Sequence, residues 1–200
     1  MITLGVLISG SGTNLQAILD AIEAGTLDAR VALVLSNKEE AYGLERARVA
    51  GVEARAINPH DFASAHDYNE ALRVALEEAG VEYVVMAGYM KLLGTEVLNA
   101  FPQRVLNLHP ALLPSFPGAH GIADALAYGV KVTGVTVHFA DEVFDRGAII
   151  AQEAVVIRED DTEDSLAERI HEVEHRIYPA ALQLIAEQRI EVTGRRVHIA

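Results

Sequence analysis

Asn107 and His109 stand two residues apart at the end of a short apolar run, with Pro110 directly behind them. Residues two apart in an extended chain point the same way, and a proline disfavours the helical conformation at the residue before it. The Asn107 amide and the His109 imidazole therefore project side by side. An amide N–H beside an imidazole can hold an oxyanion and carry a proton; the same pair could equally be a satisfied polar cap on a strand end. A third group, Asp145, closes an acidic stretch that also holds Asp141 and Glu142. If the fold brings Asp145 beside His109, the carboxylate raises the ring's proton affinity and orients it. Spacing alone does not show that approach, and a charge run of this kind is ordinarily solvated surface.

The second candidate is Ser9-Gly10-Ser11-Gly12-Thr13-Asn14. It lies between the first strand-like run and the first helix-like run, where exposed N–H groups and the helix dipole favour an anion. Gly10 and Gly12 let the backbone approach a phosphate closely, and Thr13 and Asn14 add side-chain donors. Thr13 with Gln16 has the spacing of a capping box. The dinucleotide fingerprint is not met, because Leu15 stands where that pattern needs glycine or alanine, and there is no P-loop lysine. A tight turn with an ordinary cap is the competing reading.

His171-Glu172-Val173-Glu174-His175 matches H-E-x-x-H, whose two histidines share one helix face as zinc hydrolases require. Against zinc, Glu174 is charged where those enzymes prefer an uncharged residue, and no extended downstream signature follows. Of the other histidines, His60, His66 and His198 read as solvent-facing. His138 reads as sheet core beside the site, and His120 as supporting or substrate-facing.

These groups need elements to carry them. β-branched runs alternate with helical periodicity along the chain: strands at 2–8, 30–36, 53–57, 83–86, 104–108, 132–139 and 148–156, and helices at 13–24, 43–50, 67–79, 95–100 and 122–128. A long helix is expected over 162–187, interrupted late by Pro179, and a hairpin over 190–199 centred on Thr193-Gly194. The three prolines within 110–118 make that stretch a loop. Strand–helix alternation without repeats or low-complexity tracts predicts one α/β domain on a mostly parallel sheet.

Composition narrows the partners. The 200 residues are 50% hydrophobic and 22% charged, enough apolar surface for a globular core. A net charge of -13 argues against a nucleic-acid backbone or an anionic membrane face as partner. The absence of cysteine removes disulfides, thiolate nucleophiles, iron–sulfur clusters and Cys-ligated zinc. Asp20 and Glu23 interrupt the opening stretch before the first cation, Arg30, so no secretory or transit segment fits. The longest apolar run, 83–90, is far short of the roughly 20 residues a bilayer requires. A cytoplasmic protein is expected.

Seven ordered segments carry a resemblance. They are 8–16, Ser36-Asn37-Lys38, 43–47, Ala87-Gly88-Tyr89-Met90, 107–114, Phe116-Pro117-Gly118 and 134–147. On them the chain resembles the folate-dependent phosphoribosylglycinamide formyltransferases over nearly its full length. The resemblance implies a single doubly wound, Rossmann-like formyltransferase domain over 1–200, with a long C-terminal helix and a terminal β-hairpin. Its half at about 1–100 would bind phosphate, and its half at about 101–200 would hold the folate and the catalytic groups. It implies formyl transfer from 10-formyltetrahydrofolate to glycinamide ribonucleotide, without a metal, nucleic acid or membrane, by a monomer or homodimer.

Residue by residue, the resemblance implies that Gly12, Thr13 and Asn14 cradle the ribonucleotide's phosphate, and that His171 and Glu174 contact the same substrate. It implies Asn107, His109 and Asp145 as catalytic. Met90, Lys91, Leu92, Leu93, Asn107, Asp141, Glu142, Val143, Phe144 and Asp145 would contact the folate. Asp145 would keep His109 protonated, ready to hold the oxyanion with Asn107. The alternative is a 10-formyltetrahydrofolate hydrolase, whose relatives usually carry an extra amino-terminal domain and a second His after the catalytic one, where Pro110 stands here. The chain departs from the family at Ala65, Ile122, Ala123 and Ala148.

Overall fold

β1 (Ile2–Ile8) is buried at every position, as a strand covered on both faces must be. It pairs in parallel with β2 (Ala29–Ser36) on one side and β4 (Tyr83–Met86) on the other. The computed structural model describes residues 1–142 and 145–200. Its seven-stranded sheet has the order β3-β2-β1-β4-β5-β6-β7, with β3 at Glu53–Ala56, β5 at Val105–His109, β6 at Val132–Phe139 and β7 at Ile149–Val156. β1 to β5 are mutually parallel, whereas β6 and β7 are antiparallel additions. Winding runs outward from β1 to β3 and then resumes on the other side at β4. The reversal opens a crevice beyond the carboxyl ends of β1 and β4, where α/β sheets bind ligands.

Side-chain alternation along the strands feeds two cores. Leu4, Val6 and Ile8 of β1 pack under α1 (Thr13–Glu23), α2 (Tyr42–Val49) and α6 (Glu163–Ala186). Leu7 turns to the opposite face, under α3 (Ala65–Glu78) and α4 (Thr95–Ala100). α5 (Gly121–Tyr128) joins the first layer through Ile122 and Leu126. β8 (Ile190–Thr193) and β9 (Arg196–Ile199) form the expected terminal hairpin.

Two local expectations are corrected. Thr13 and Gln16 form no capping box: the α1 N-cap is Gly12, with no side-chain cap bond. The Gln16 side chain instead bonds Asp20 and accepts from Arg46. Pro179 does not interrupt α6, which is continuous over 24 residues. Tyr178, Pro179, Ala181 and Leu182 are all buried, so packing offsets the lost backbone bond. A Thr162–Ser165 capping box starts this helix.

Candidate active site

The crevice at the switch point holds a cavity of about 380 Å³. Its floor is the loop from Ser9 to Asn14, and its walls include Gly88, Met90, His120, His171 and Glu174. Gly12 adopts φ 70°, and a Cβ there would stand 2.6 Å from the Gly43 Cα, so only glycine fits. The N–H groups of Gly12, Thr13 and Asn14 make no hydrogen bond among the described residues, as at any helix start, a place that favours an anion. The Asn14 Nδ2 donates to Glu174 Oε2 at 2.9 Å across the whole sequence. Burial pushes the Glu174 carboxyl up, an effect the Asn14 amide partly offsets.

β5 ends beside this cavity, and its alternation divides its residues between two spaces. Leu108 lines the large cavity. Asn107 faces the opposite side, into a recess of about 100 Å³ walled by Leu92, Leu93 and Leu98 with Asp141, Glu142 and Asp145 at its acidic rim. β5 and β6 pair Asn107 with His138 and His109 with Thr136, so the two imidazoles come from adjacent strands.

Asp145 is the hub of these groups. Its Oδ2 lies 3.5 Å from His109 Nδ1 and accepts the Gly118 N–H at 2.8 Å. Its Oδ1 lies 3.5 Å from Asn107 Nδ2 and 3.6 Å from His138 Nε2. The Asn107 Nδ2 also reaches His138 Nε2 at 3.2 Å. His109 Nε2 donates to the Phe116 carbonyl at 2.7 Å. Both residues that engage His109 from loops, Asp145 and Phe116, sit at positive φ, 55° and 51°. Such backbone costs roughly 1–3 kcal/mol per residue and gathers at functional sites.

Burial raises the Asp145 carboxyl, but the His138 ring, the Gly118 N–H and the His109 ring together pull it below its usual range. The His109 imidazole is held below its usual value, because burial outweighs the carboxylate's pull. Burial thus opposes the pull of Asp145 on the His109 proton. His109 is 3% exposed, and the Asp145 charge is shared among four groups rather than spent on one ring. A carbonyl can only accept, so His109 Nε2 carries a proton toward Phe116.

The remaining expected residues distribute as follows. Gly12, Thr13, Asn14, His171 and Glu174 all line the large cavity, and so does Met90, expected on the folate side. Leu92, Leu93, Asn107, Asp141, Glu142 and Asp145 line the recess, whereas Lys91 is exposed and lines neither space. Val143 and Phe144 lie outside the described residues. Ile122 and Ala123 line the large cavity, Ala65 is exposed at the start of α3, and Ala148 is buried. His171 and His175 stack on α6 with centroids 6.3 Å apart. No group of three or more His, Cys, Asp or Glu that could hold a metal occurs among the described residues.

Three supports escaped the sequence reading. The Ser9 hydroxyl donates to Asn37 at 2.6 Å and accepts the Met90 N–H at 2.8 Å, tying together the ends of β1, β2 and β4. The buried Tyr178 hydroxyl lies 3.1 Å from both the Met86 and Leu106 carbonyls, beneath β4 and β5. Asn69 accepts the Gly94 N–H at 2.7 Å and so closes the loop that carries Leu92 and Leu93. The 36–38 and 87–90 segments, which contribute to the family resemblance, were the available signal for the first.

A glycine-turned loop at the switch point is joined through one strand end to an Asn–His–Asp cluster and a second recess, where α/β enzymes bind their ligands. The chain belongs to the formyl transferase family, whose model matches residues 3–182. It is 38% identical to the phosphoribosylglycinamide formyltransferase of Bacillus subtilis (strain 168) over 178 residues, 89% of this chain and 91% of that protein. It is 44% identical to the trifunctional purine biosynthetic protein adenosine-3 of Gallus gallus over 96% of the chain, which spans only 19% of that protein. Among solved structures, glycinamide ribonucleotide transformylase 1 from Symbiobacterium toebii superposes with a TM-score of 0.98 at 52% identity, covering 100% of this chain and 94% of that one.

Proposed function

We propose that this chain transfers the formyl group of 10-formyltetrahydrofolate to the primary amine of glycinamide ribonucleotide, giving formylglycinamide ribonucleotide and tetrahydrofolate in purine biosynthesis, in the cytoplasm. The observation that carries the reading is Asp145 within 3.5 Å of both Asn107 and His109, at the strand end separating the two ligand spaces. The large cavity suits the ribonucleotide: Gly12, Thr13 and Asn14 offer N–H groups to its phosphate, and His171 and Glu174 offer polar contacts further in. The recess suits the pteridine. Its leucine walls match a flat heterocycle, and Asp141, Glu142 and Asp145 match that ring's N–H edge. The transferase names of the relatives support an amine acceptor rather than water.

The amine nitrogen attacks the formyl carbon, forming a C–N bond and a tetrahedral oxyanion with an ammonium. The Asn107 amide donates to the oxyanion. His109, freed from the Phe116 carbonyl when substrates engage and with its ring proton moved to Nδ1 against Asp145, takes the ammonium proton on Nε2. The imidazolium so formed stands against the Asp145 carboxylate, which repays part of the cost of burying it. It then gives that proton to the folate nitrogen as the old C–N bond breaks. The lowered proton affinity of His109 fits this sequence, since the ring must begin as a base. Holding both substrates in contact supplies the rest.

The test is the absorbance change on deformylation of a 10-formyl folate, recorded with and without glycinamide ribonucleotide. Turnover that requires the ribonucleotide is expected. Equal turnover in its absence, with water as acceptor, would overturn the reading, and so would silence in both cuvettes.

A further inference from the structure

Arg46 lies on α2, and neither it nor Gly43 lines the large cavity. Yet α2 sits directly on the loop that forms the cavity's floor. A Cβ on Gly43 would meet Ile8 at 2.5 Å and the Gly12 Cα at 3.1 Å, so helix and loop are in backbone contact. Through that contact α2 holds two successive loop carbonyls. The Gly43 N–H donates to the Gly10 carbonyl at 3.0 Å, and the Arg46 Nε donates to the Ser11 carbonyl at 2.8 Å. In a trans peptide the C=O and the following N–H point in opposite directions. Fixing those two oxygens on the α2 side turns the N–H groups of Ser11 and Gly12 the other way, toward the cavity. Gly12 in the left-handed region followed by the right-handed first residue of α1 then curls successive N–H groups toward one point, an anion-binding nest.

The guanidinium is itself held in place. It stacks over the Tyr42 ring at 5.0 Å, and its Nη1 donates to Gln16 Oε1 at 3.2 Å. The Gln16 Nε2 is anchored to Asp20 at 2.8 Å. No carboxylate pairs with Arg46 among the described residues, so its charge remains beside the loop in a strongly acidic protein.

We propose that Arg46 is a positioning residue for the acceptor's phosphate monoester: by holding the Ser11 carbonyl outward it shapes the backbone nest at residues 11–14 without touching the ligand. The proposal rests on the reading that the acceptor is a phosphorylated amine. Loss of a bond from a charged donor costs on the order of tenfold or more. Arg46→Gln should therefore raise the KM for glycinamide ribonucleotide roughly tenfold or more, and the inhibition constant of inorganic phosphate against that substrate in parallel. The kcat and the KM for 10-formyltetrahydrofolate should stay near those of the unmodified protein. Arg46→Lys, which keeps the charge but cannot donate at once to Ser11 and Gln16 through a planar fork, should fall between.

The discriminating probe is the dephosphorylated acceptor, glycinamide riboside. Its kcat/KM should be the same in the unmodified protein and Arg46→Gln, because it has no phosphate for the nest to hold. Equal losses for both acceptors, or a fall in kcat with the ribonucleotide KM unchanged, would overturn the proposal and leave Arg46 a general structural group. Should Arg46→Gln not fold, Arg46→Lys with the phosphate inhibition constant carries the same test: an unchanged constant overturns it. If the unmodified protein does not use glycinamide ribonucleotide at all, the functional reading fails. The nest would then still be tested by phosphate protection against heat, which Arg46→Gln must weaken.

Discussion

Replacing Asp145 by Asn changes one charge and almost no volume, at a group with four polar neighbours. The amide can still accept from the Gly118 N–H, so the loop keeps an anchor. It cannot offset an imidazolium, so His109, already held low by burial, loses the attraction that raised it. Turnover should fall about a hundredfold or more, and the acid limb of the kcat/KM profile should move to lower pH. A pH–rate series checks this; a limb that stays put, or moves up, contradicts the assignment. Asn107 and His109 were legible in the sequence because strand alternation is a local rule. Asp145 was named there too, but its approach to His109 was not legible, since it arrives from a separate loop, a distance no spacing encodes. The burial that opposes the carboxylate at His109 was hidden for a related reason, since depth is a property of the folded chain.

At the scale of elements, the chain after Asp145 rejoins the sheet through a close approach at Gly147. A Cβ on Gly147 would stand 1.6 Å from the Phe139 carbonyl, so the loop that carries Asp145 returns to the sheet only with glycine there. Gly147→Ala should displace that loop and lower turnover nearly as far as Asp145→Asn, while the seven-stranded sheet stays folded. Circular dichroism reports the sheet, and an NMR titration of His109, expected to shift down as Asp145 moves away, reports the loop. Helices and strands were legible to within a residue or two, because periodicities of 3.6 and 2.0 are written in apolar residues. The exceptions were end effects. The capping box at Thr13 lost to the hydrogen bonds that Gln16 makes with Asp20 and Arg46, and the expected break at Pro179 lost to the burial of Tyr178, Pro179, Ala181 and Leu182.

Across the whole molecule, buried titratable groups link stability to pH. His109 and His175 are both held below the ordinary value of 6.5, chiefly by burial. The unfolded chain binds these protons first as pH falls, so native stability declines as pH drops below that value. Glu174, pushed up by burial, acts in the opposite sense, since the native state takes its proton first. His175 is the cleaner probe, because its Nε2 is buried and makes no hydrogen bond among the described residues. In His175→Gln, the drop in melting temperature between about pH 7.5 and pH 5.5 should be smaller than in the unmodified protein. Differential scanning calorimetry at the two pH values decides it; an unchanged or larger drop would show that His175 is not among the groups responsible.

What the sequence determined by itself was everything carried by local pattern and by composition. Strand–helix alternation set the α/β class, the acidic balance turned expectation away from nucleic acid, and the Ser9–Asn14 and Asn107–His109 spacings placed two chemical groups at strand ends. The tertiary structure alone decided what those groups face. The crossover from β3 to β4 created the crevice, β5 separated the cavity from the recess, and the antiparallel return of β6 brought His138 beside Asn107. Burial then set the proton affinity of His109 below that of a free imidazole. Hydrophobic period is a property of neighbours along the chain. Proton affinity and ligand shape belong to neighbours in space, and they exist only once the sheet has closed around them.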